Sequence, residues 1–338
     1  MPFVASLTQL RSLSIVGTAK NTGKTECLNY VLRRLWEEFP QKSIALTSIG
    51  IDGERRDQVT QTDKPEICLY PGTVFITAEK FYRSKMVAAE IIDIEDQYVT
   101  SLGRAIYARS RGTGKVLIAG PASTGGLKQI IQKTQEKAID LTIIDGALSR
   151  ISLAAPSVSD GLILATGAAY SVQPEELIRR TNYLHRLIKL PEYGSRSIAE
   201  QLTDVERGMY VIGVDGGIHD TGFVSALSDQ AWKDPQWTKL GDTLFVAGAV
   251  SDPLLERLRL IDDHSRLIVR DFTRIFASPI VLDKYLASGR TIEVLYGTRL
   301  MAITFNPLAP SGYKLDSEKM CGRLQESLGV PVYDVRRL

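Results

Sequence analysis

The chain has little cysteine, little histidine and no excess of charge of either sign. Its three cysteines, Cys27, Cys68 and Cys321, lie far apart and form no CxxC pair. An odd, scattered set builds neither a disulfide framework nor a zinc site, so all three are expected to be small buried residues with reduced thiols. His185, His219 and His264 show no H-x-x-x-H spacing, so no histidine metal pair and no His-based triad is indicated. Lys and Arg number 41 against 39 Asp and Glu, a net charge of +2, which gives no global field to draw the chain to nucleic acid or a membrane. No stretch of about 20 residues stays apolar, so no membrane-spanning helix is expected. Met1 to Ser6 lacks the basic start of a secretory signal, and the expected address is the cytoplasm.

What is present is the balance of a soluble globular protein, 44% hydrophobic and 24% charged residues over 338 positions. That length suits two domains. Short β-rich apolar runs alternate with helical patterns, which predicts an α/β fold with a doubly wound, mainly parallel sheet. The predicted strands of the first half are Ser12 to Val16, Ser43 to Thr47, Lys115 to Ala119, Leu141 to Ile144 and Gly161 to Thr166. Between the first two, Leu28, Val31, Leu32, Leu35, Trp36 and Phe39 repeat at the spacing of one buried helix face, and Pro40 stops the helix. The polar residues 191 to 208 read as a boundary between a first domain, 1–190, and a second, smaller α/β domain, 205–338. The runs Met209 to Val214, Leu244 to Ala247, Leu267 to Val269, Leu300 to Phe305 and Val330 to Val335 supply the second domain's strands. In the alternative, residues 299–338 complete the first sheet and 200–298 are an insertion. Val214 to Gly222 superficially resembles the phosphate loop of actin-like ATPases, where a β-hairpin is expected, but Gly222 onward reads as a helix start, which sets that likeness aside.

The chemistry concentrates after the first strand. Leu13-Ser14-Ile15-Val16 runs into Gly17, Thr18, Ala19, Lys20, Asn21, Thr22, Gly23, Lys24, Thr25 and Glu26, and the amphipathic helix follows at once. Small residues let successive backbone N–H groups turn toward one point, and a helix N-terminus adds partial positive charge, so the arrangement suits phosphate. Lys24 is placed to reach β- and γ-phosphates and the Thr25 hydroxyl to ligate Mg²⁺. The pattern G-x-x-x-x-G-K-[ST] would begin at position 18, where this chain has Thr; its glycine stands one residue earlier. A second metal ligand is expected at the end of a hydrophobic strand, and Leu141 to Asp145 supplies strand and carboxylate, with a turn-capping Asp as the plain alternative. Asp52 and Glu54, after the second strand, are candidates to approach the γ-phosphate and position water, or are solvated loop acids. Lys20 either neutralises phosphate, in its own subunit or across a homodimer, or is a surface lysine. The run Gly120 to Gly126 is placed to face the crevice, and either contacts substrate or senses the γ-phosphate or is a plain strand-to-helix turn; Asn306-Pro307 either contacts a nucleobase, if its strand joins the first sheet, or is a turn-forming Asn-Pro. The expected ligand is ATP or GTP with Mg²⁺, no N-K-x-D stretch being present to select guanine.

These motifs carry two resemblances. The spacing from Gly17 to Thr25, with Asp145-Gly146-Ala147 ending a strand, resembles the dethiobiotin synthetase and MinD-like branch of P-loop proteins. Dethiobiotin synthetase itself would have a substrate-binding lysine after the second strand, and none stands there. Over most of the chain the combination of Val16 to Thr25, Leu46 to Gly50 with Asp52 to Glu54, Ile144 to Arg150, Ser159 to Gly161 with Ala165 to Ala168, and Thr304 to Pro307 is similar to the KamB-type P-loop subunit of the lysine 5,6-aminomutase reactivating system. That resemblance implies a nucleotide-driven accessory protein that works with a MutS-like ATPase partner. The pair would restore an adenosylcobalamin- and pyridoxal-phosphate-dependent aminomutase. The rival expectation is an ATP-dependent ligase or kinase acting on a small molecule. The polar segment Glu54 to Asp63 is the expected switch, ordering when triphosphate binds.

Overall fold

The structure, a computed structural model, describes residues 3–49, 51–52, 66–100, 103–121, 123–147, 158–233, 236–261 and 266–338; at 51–52, 96–100, 124 and 147 it describes the backbone alone. Glu54 and the expected switch segment lie outside the described residues. The chain forms two compact units, Met1–Asn182 with Arg299–Leu338, and Tyr183–Thr298.

In the first unit β1 (Ser12–Gly17) leads into α1 (Lys24–Glu38), followed by β2 (Ile44–Ser48), β3 (Val74–Ala78), β4 (Ala89–Thr100) and β5 (Gly103–Ser110). Next come α2 (Thr124–Glu136), β6 (Leu141–Ala147), β7 (Gly161–Gly167) and α3 (Pro174–Ile188), within which the second unit begins. That unit holds β8 (Met209–Ile212), β9 (Ile218–Asp220), β10 (Thr243–Val246), β11 (Arg266–Val269) and β12 (Thr291–Val294), before β13 (Leu300–Asn306), α4 (Ser317–Leu328) and β14 (Val332–Tyr333) return to the first.

The first unit is built on a nine-stranded sheet in the order β14-β13-β7-β1-β6-β2-β3-β5-β4. It is parallel from β14 to β3, and β5 runs antiparallel to both β3 and β4. The protein is therefore α/β with a large mixed sheet and a second, separate sheet. β1, β2 and β7 are buried at every position, which is why they read as continuous apolar runs. Leu13, Ile15 and Ile143 pack with Leu28, Val31 and Leu35 of α1. Ile144, the next residue of β6, packs instead with Leu127 and Ile131 of α2. Successive side chains thus meet helices on opposite faces, as the two-residue period of a strand requires.

Several expectations change. β13 and β14 belong to the large sheet, so residues 183–298 interrupt it; this is the inserted arrangement, entered at Tyr183 rather than at residue 200. Lys115 to Ala119 is not a strand of the large sheet. Its residues form two short ladders, Gly114–Val116 with Ile67–Leu69 and Ile118–Ala119 with Ile51–Asp52. β3, β4 and β5 were not anticipated. Trp36 is 44% exposed rather than buried and stacks on Tyr70, with ring centroids 5.1 Å apart. In the second unit, whose sheet order is β9-β8-β10-β11-β12, β8 and β9 form an antiparallel hairpin and Gly222 starts no helix. No helix among the described residues is long and apolar enough to cross a membrane.

Gly120 tests the packing of this sheet edge. A Cβ there would lie 1.7 Å from the Ser48 carbonyl oxygen, whereas one on Gly125 would meet nothing within 4 Å. Gly120→Ala is expected to cost about 3 kcal/mol by overpacking against backbone. Gly125→Ala, inside α2, is expected to be neutral or to stabilise by up to about 1 kcal/mol. Urea unfolding midpoints of the two variants check the contrast, and equal midpoints would refute the close approach at Gly120.

Candidate functional site

Register fixes the site at the carboxyl edge of the large sheet. Gly17 of β1 lies level with Ala147 of β6 and Ala165 of β7, and Asp145 of β6 lies level with Ser48 of β2. The loop from Gly17 to Thr25 therefore rises from a central strand, flanked by two others whose ends face the same edge.

The loop is held by its own small residues. A Cβ on Gly17 would stand 2.7 Å from Thr22 Oγ1, so only glycine lets the loop fold back this closely. Thr22 Oγ1 donates to the Ala19 carbonyl at 2.9 Å, and the Thr18 N–H donates to the Ala165 carbonyl at 2.8 Å. Thr18 and Thr22 are thereby buried, at 4% and 1% exposure, and act as internal ties. Asn21 and Gly23 have positive φ, 64° and 85°; asparagine and glycine are the residues that tolerate this region. Gly23 is the N-cap of α1 and no side chain caps that helix, so the first turn presents backbone N–H groups at the loop's centre. The Asn21 side-chain nitrogen is buried and finds no hydrogen-bond partner among the described residues. A buried donor left so costs about 1–3 kcal/mol, which an incoming acceptor oxygen would recover.

The centre of the site is an ion pair. Lys24 Nζ lies 2.8 Å from Asp145 Oδ1, with Lys24 14% exposed and Asp145 fully buried. An ionised carboxylate in that position requires a cation, and the head of α1 delivers it. Cys27, the first buried residue of α1, sits close behind. Burial pushes its thiol up to about 12, a hydrogen bond with Thr304 opposes this and the Asp145 charge adds to it. Cys27 is thus a neutral packing residue.

The other expected residues are distributed unevenly. Thr25 and Glu26 occupy the first turn of α1, but Glu26 is paired with Arg336. Lys20 is exposed on the loop. Asp52 ends the two-residue strand paired with Ile118–Ala119, and its side chain, like all of Glu54, lies outside the described residues. Within the run Gly120 to Gly126, the Ser123 hydroxyl accepts from the Gly126 N–H at 3.2 Å and caps α2. No cluster of three or more metal-binding side chains occurs among the described residues. A Mg²⁺ site built from one hydroxyl, one carboxylate and ligand phosphates would not form such a cluster.

One contributor, Arg336, was missed, and another, Asn306, has a role beyond the turn or nucleobase contact expected of it. Asn306, at the end of β13, donates from Nδ2 to the Asn21 carbonyl at 3.0 Å, and its Oδ1 accepts from the Leu308 N–H at 3.2 Å. It is thus both a turn former and a brace for the loop. A Cβ on Gly23 would come within 2.8 Å of the Asn306 Cβ. Arg336, near the C-terminus, reaches Glu26. The apolar strand ahead of Asn306 was visible in the sequence, but its partner nearly three hundred residues away was not.

Lys24→Ala leaves the Asp145 carboxylate buried without its cation, so the variant is expected to lose about 3 kcal/mol of stability. Adding Asp145→Asn to the Lys24→Ala background removes the stranded charge and should restore part of the loss. Chemical denaturation of both variants reads the difference; a Lys24→Ala midpoint equal to that of the parent would contradict the pair.

No protein-family model, curated protein or solved structure matches the chain.

Proposed function

We propose that the Gly17–Thr25 loop binds a nucleoside triphosphate with Mg²⁺, and that the protein is a slow nucleotide-driven switch of the P-loop kind. The observation that carries this reading is the Lys24–Asp145 pair at the head of an uncapped helix. The backbone N–H groups of the first turn of α1 and the Asn21 amide supply donors for phosphate oxygens. Lys24 exchanges Asp145 for β- and γ-phosphate oxygens, so that neither charge is left alone. Thr25 and Asp145 are the residues that would hold Mg²⁺, whose chemistry is to neutralise charge on those phosphates. Slow intrinsic hydrolysis is the expectation for a P-loop site that waits for a partner to complete its charge-stabilising groups.

The resemblance to the aminomutase-reactivating subunit supports an accessory role in which a MutS-like ATPase or the aminomutase itself reads the nucleotide state. Linkage then requires that the partner alter nucleotide affinity as much as nucleotide alters partner affinity.

The test is calorimetric titration with a non-hydrolysable ATP analogue. Asp145→Asn should bind nucleotide in EDTA much as the parent does, and lose the gain that Mg²⁺ gives the parent. Lys24→Ala should weaken binding at least about tenfold, one charge-assisted contact being worth about 1.5–3 kcal/mol. Full magnesium dependence in Asp145→Asn would remove that residue as the metal ligand. Fast hydrolysis that depends only on a small molecule would favour the ligase or kinase reading.

A further inference from the structure

A second ion pair brackets the head of α1 on the side away from Asp145. Lys24 and Glu26 are two residues apart, about 200° around a helix, so their side chains leave α1 on opposite sides. Lys24 meets Asp145 of β6, and Glu26 meets Arg336, which follows β14. In the sheet order, β6 lies to one side of β1, and β7, β13 and β14 lie to the other. Between the two pairs stand the N–H groups that open the helix. The Cys27 N–H donates to the Gly23 carbonyl at 2.9 Å, the first bond of the helical ladder. Those of Lys24, Thr25 and Glu26 precede the ladder.

The two pairs differ in how firmly they hold. The Asp145 side chain is fully buried, whereas that of Glu26 is 27% and that of Arg336 51% exposed. An exposed pair adds little to stability and parts easily. The backbone beneath Arg336 is nonetheless fixed. Asp334, 9% exposed, accepts from the Ser317 hydroxyl and, through Oδ1, from the Arg336 N–H at 3.1 Å. Its carbonyl accepts from the Arg337 N–H at 3.0 Å. Glu26 and Arg336 meet across a cleft walled by Thr22 and Gly23 of the loop and by Asn306 and Asp334 opposite.

On the nucleotide reading of the loop, on which this inference rests, Lys24 serves the β- and γ-phosphates. The α-phosphate then falls on the Glu26 side, at the cleft. A carboxylate in the first turn suits the helix dipole, but it repels an arriving phosphate, and Arg336 is the cation beside it. A guanidinium matches two phosphate oxygens as a fork, and a nucleotide carries more charge than one carboxylate. We propose that Arg336 is a nucleotide-binding residue that turns from Glu26 to the α-phosphate when nucleotide enters the loop.

The test is calorimetric titration of the full chain with a non-hydrolysable ATP analogue and with ADP. Arg336→Ala should weaken both at least about tenfold, the loss of one charge-assisted contact, and by similar factors because both carry the α-phosphate. Glu26→Gln, which releases Arg336, should bind both at least as tightly as the parent. With Glu26→Gln added, Arg336→Ala should stay at least about tenfold weaker than Glu26→Gln alone. Restoration to that level would reduce Arg336 to a neutraliser of Glu26 and overturn the inference. So would unchanged affinity in Arg336→Ala, or a loss confined to the triphosphate. Arg336→Ala should melt with the parent, because exposed pairs contribute little to folding. Should it unfold, Arg336→Lys keeps the charge and loses the fork; it should bind both nucleotides more weakly than the parent, and parental affinity would overturn the inference. A parent that binds neither nucleotide removes the reading of the loop and this inference with it. A parent that binds both, with Arg336→Ala its equal, removes this inference alone.

Discussion

A fully buried carboxylate at the end of a central strand is the constraint on which the rest depends. Asp145 lies on β6, flanked by β1 and β2 and covered on both faces. Its charge must be met from above the sheet edge, and Lys24 meets it only because α1 begins where it does. That start needs Gly17 without a side chain, Gly23 in the left-handed region, and Asn306 of β13 bracing Asn21. The loop is thus a joint product of β1, β6, β7 and β13, of which only the first is near it in sequence.

Such a pair is poor value as a stabilising device. Removing two charges from water offsets most of their attraction, and well-packed apolar residues would serve stability as well or better. Its retention is intelligible if the charges are meant to change partners. On the proposed reading, triphosphate takes the lysine and Mg²⁺ takes the carboxylate, and the Asn21 donor, buried without a partner among the described residues, gains one.

The parts legible in the sequence were those governed by local rules. β1, the loop and α1 follow one another without interruption, and strands buried on both faces announced themselves as apolar runs. β3 to β5 were missed for a physical reason. Glu90-Ile-Ile-Asp-Ile-Glu and Arg104-Ala-Ile-Tyr-Ala-Arg mix charges with apolar residues because this antiparallel margin is only half buried, and Thr73-Val-Phe-Ile-Thr-Ala was the β-branched signal that could have revealed it. The roles of Asn306 and Arg336 rest on pairings hundreds of residues apart, which no local pattern encodes. The neighbourhood of Trp36 shows the same limit: helical spacing put it on the buried face, yet its ring lies at the margin of that face against Tyr70.

The central claim is that the loop receives a triphosphate, and the most direct measurement is calorimetry of the unaltered protein with a non-hydrolysable ATP or GTP analogue in Mg²⁺. The account predicts saturable binding of at least one analogue that weakens stepwise from tri- to di- to monophosphate. No binding of either analogue, or equal affinity for tri- and monophosphate, would contradict it.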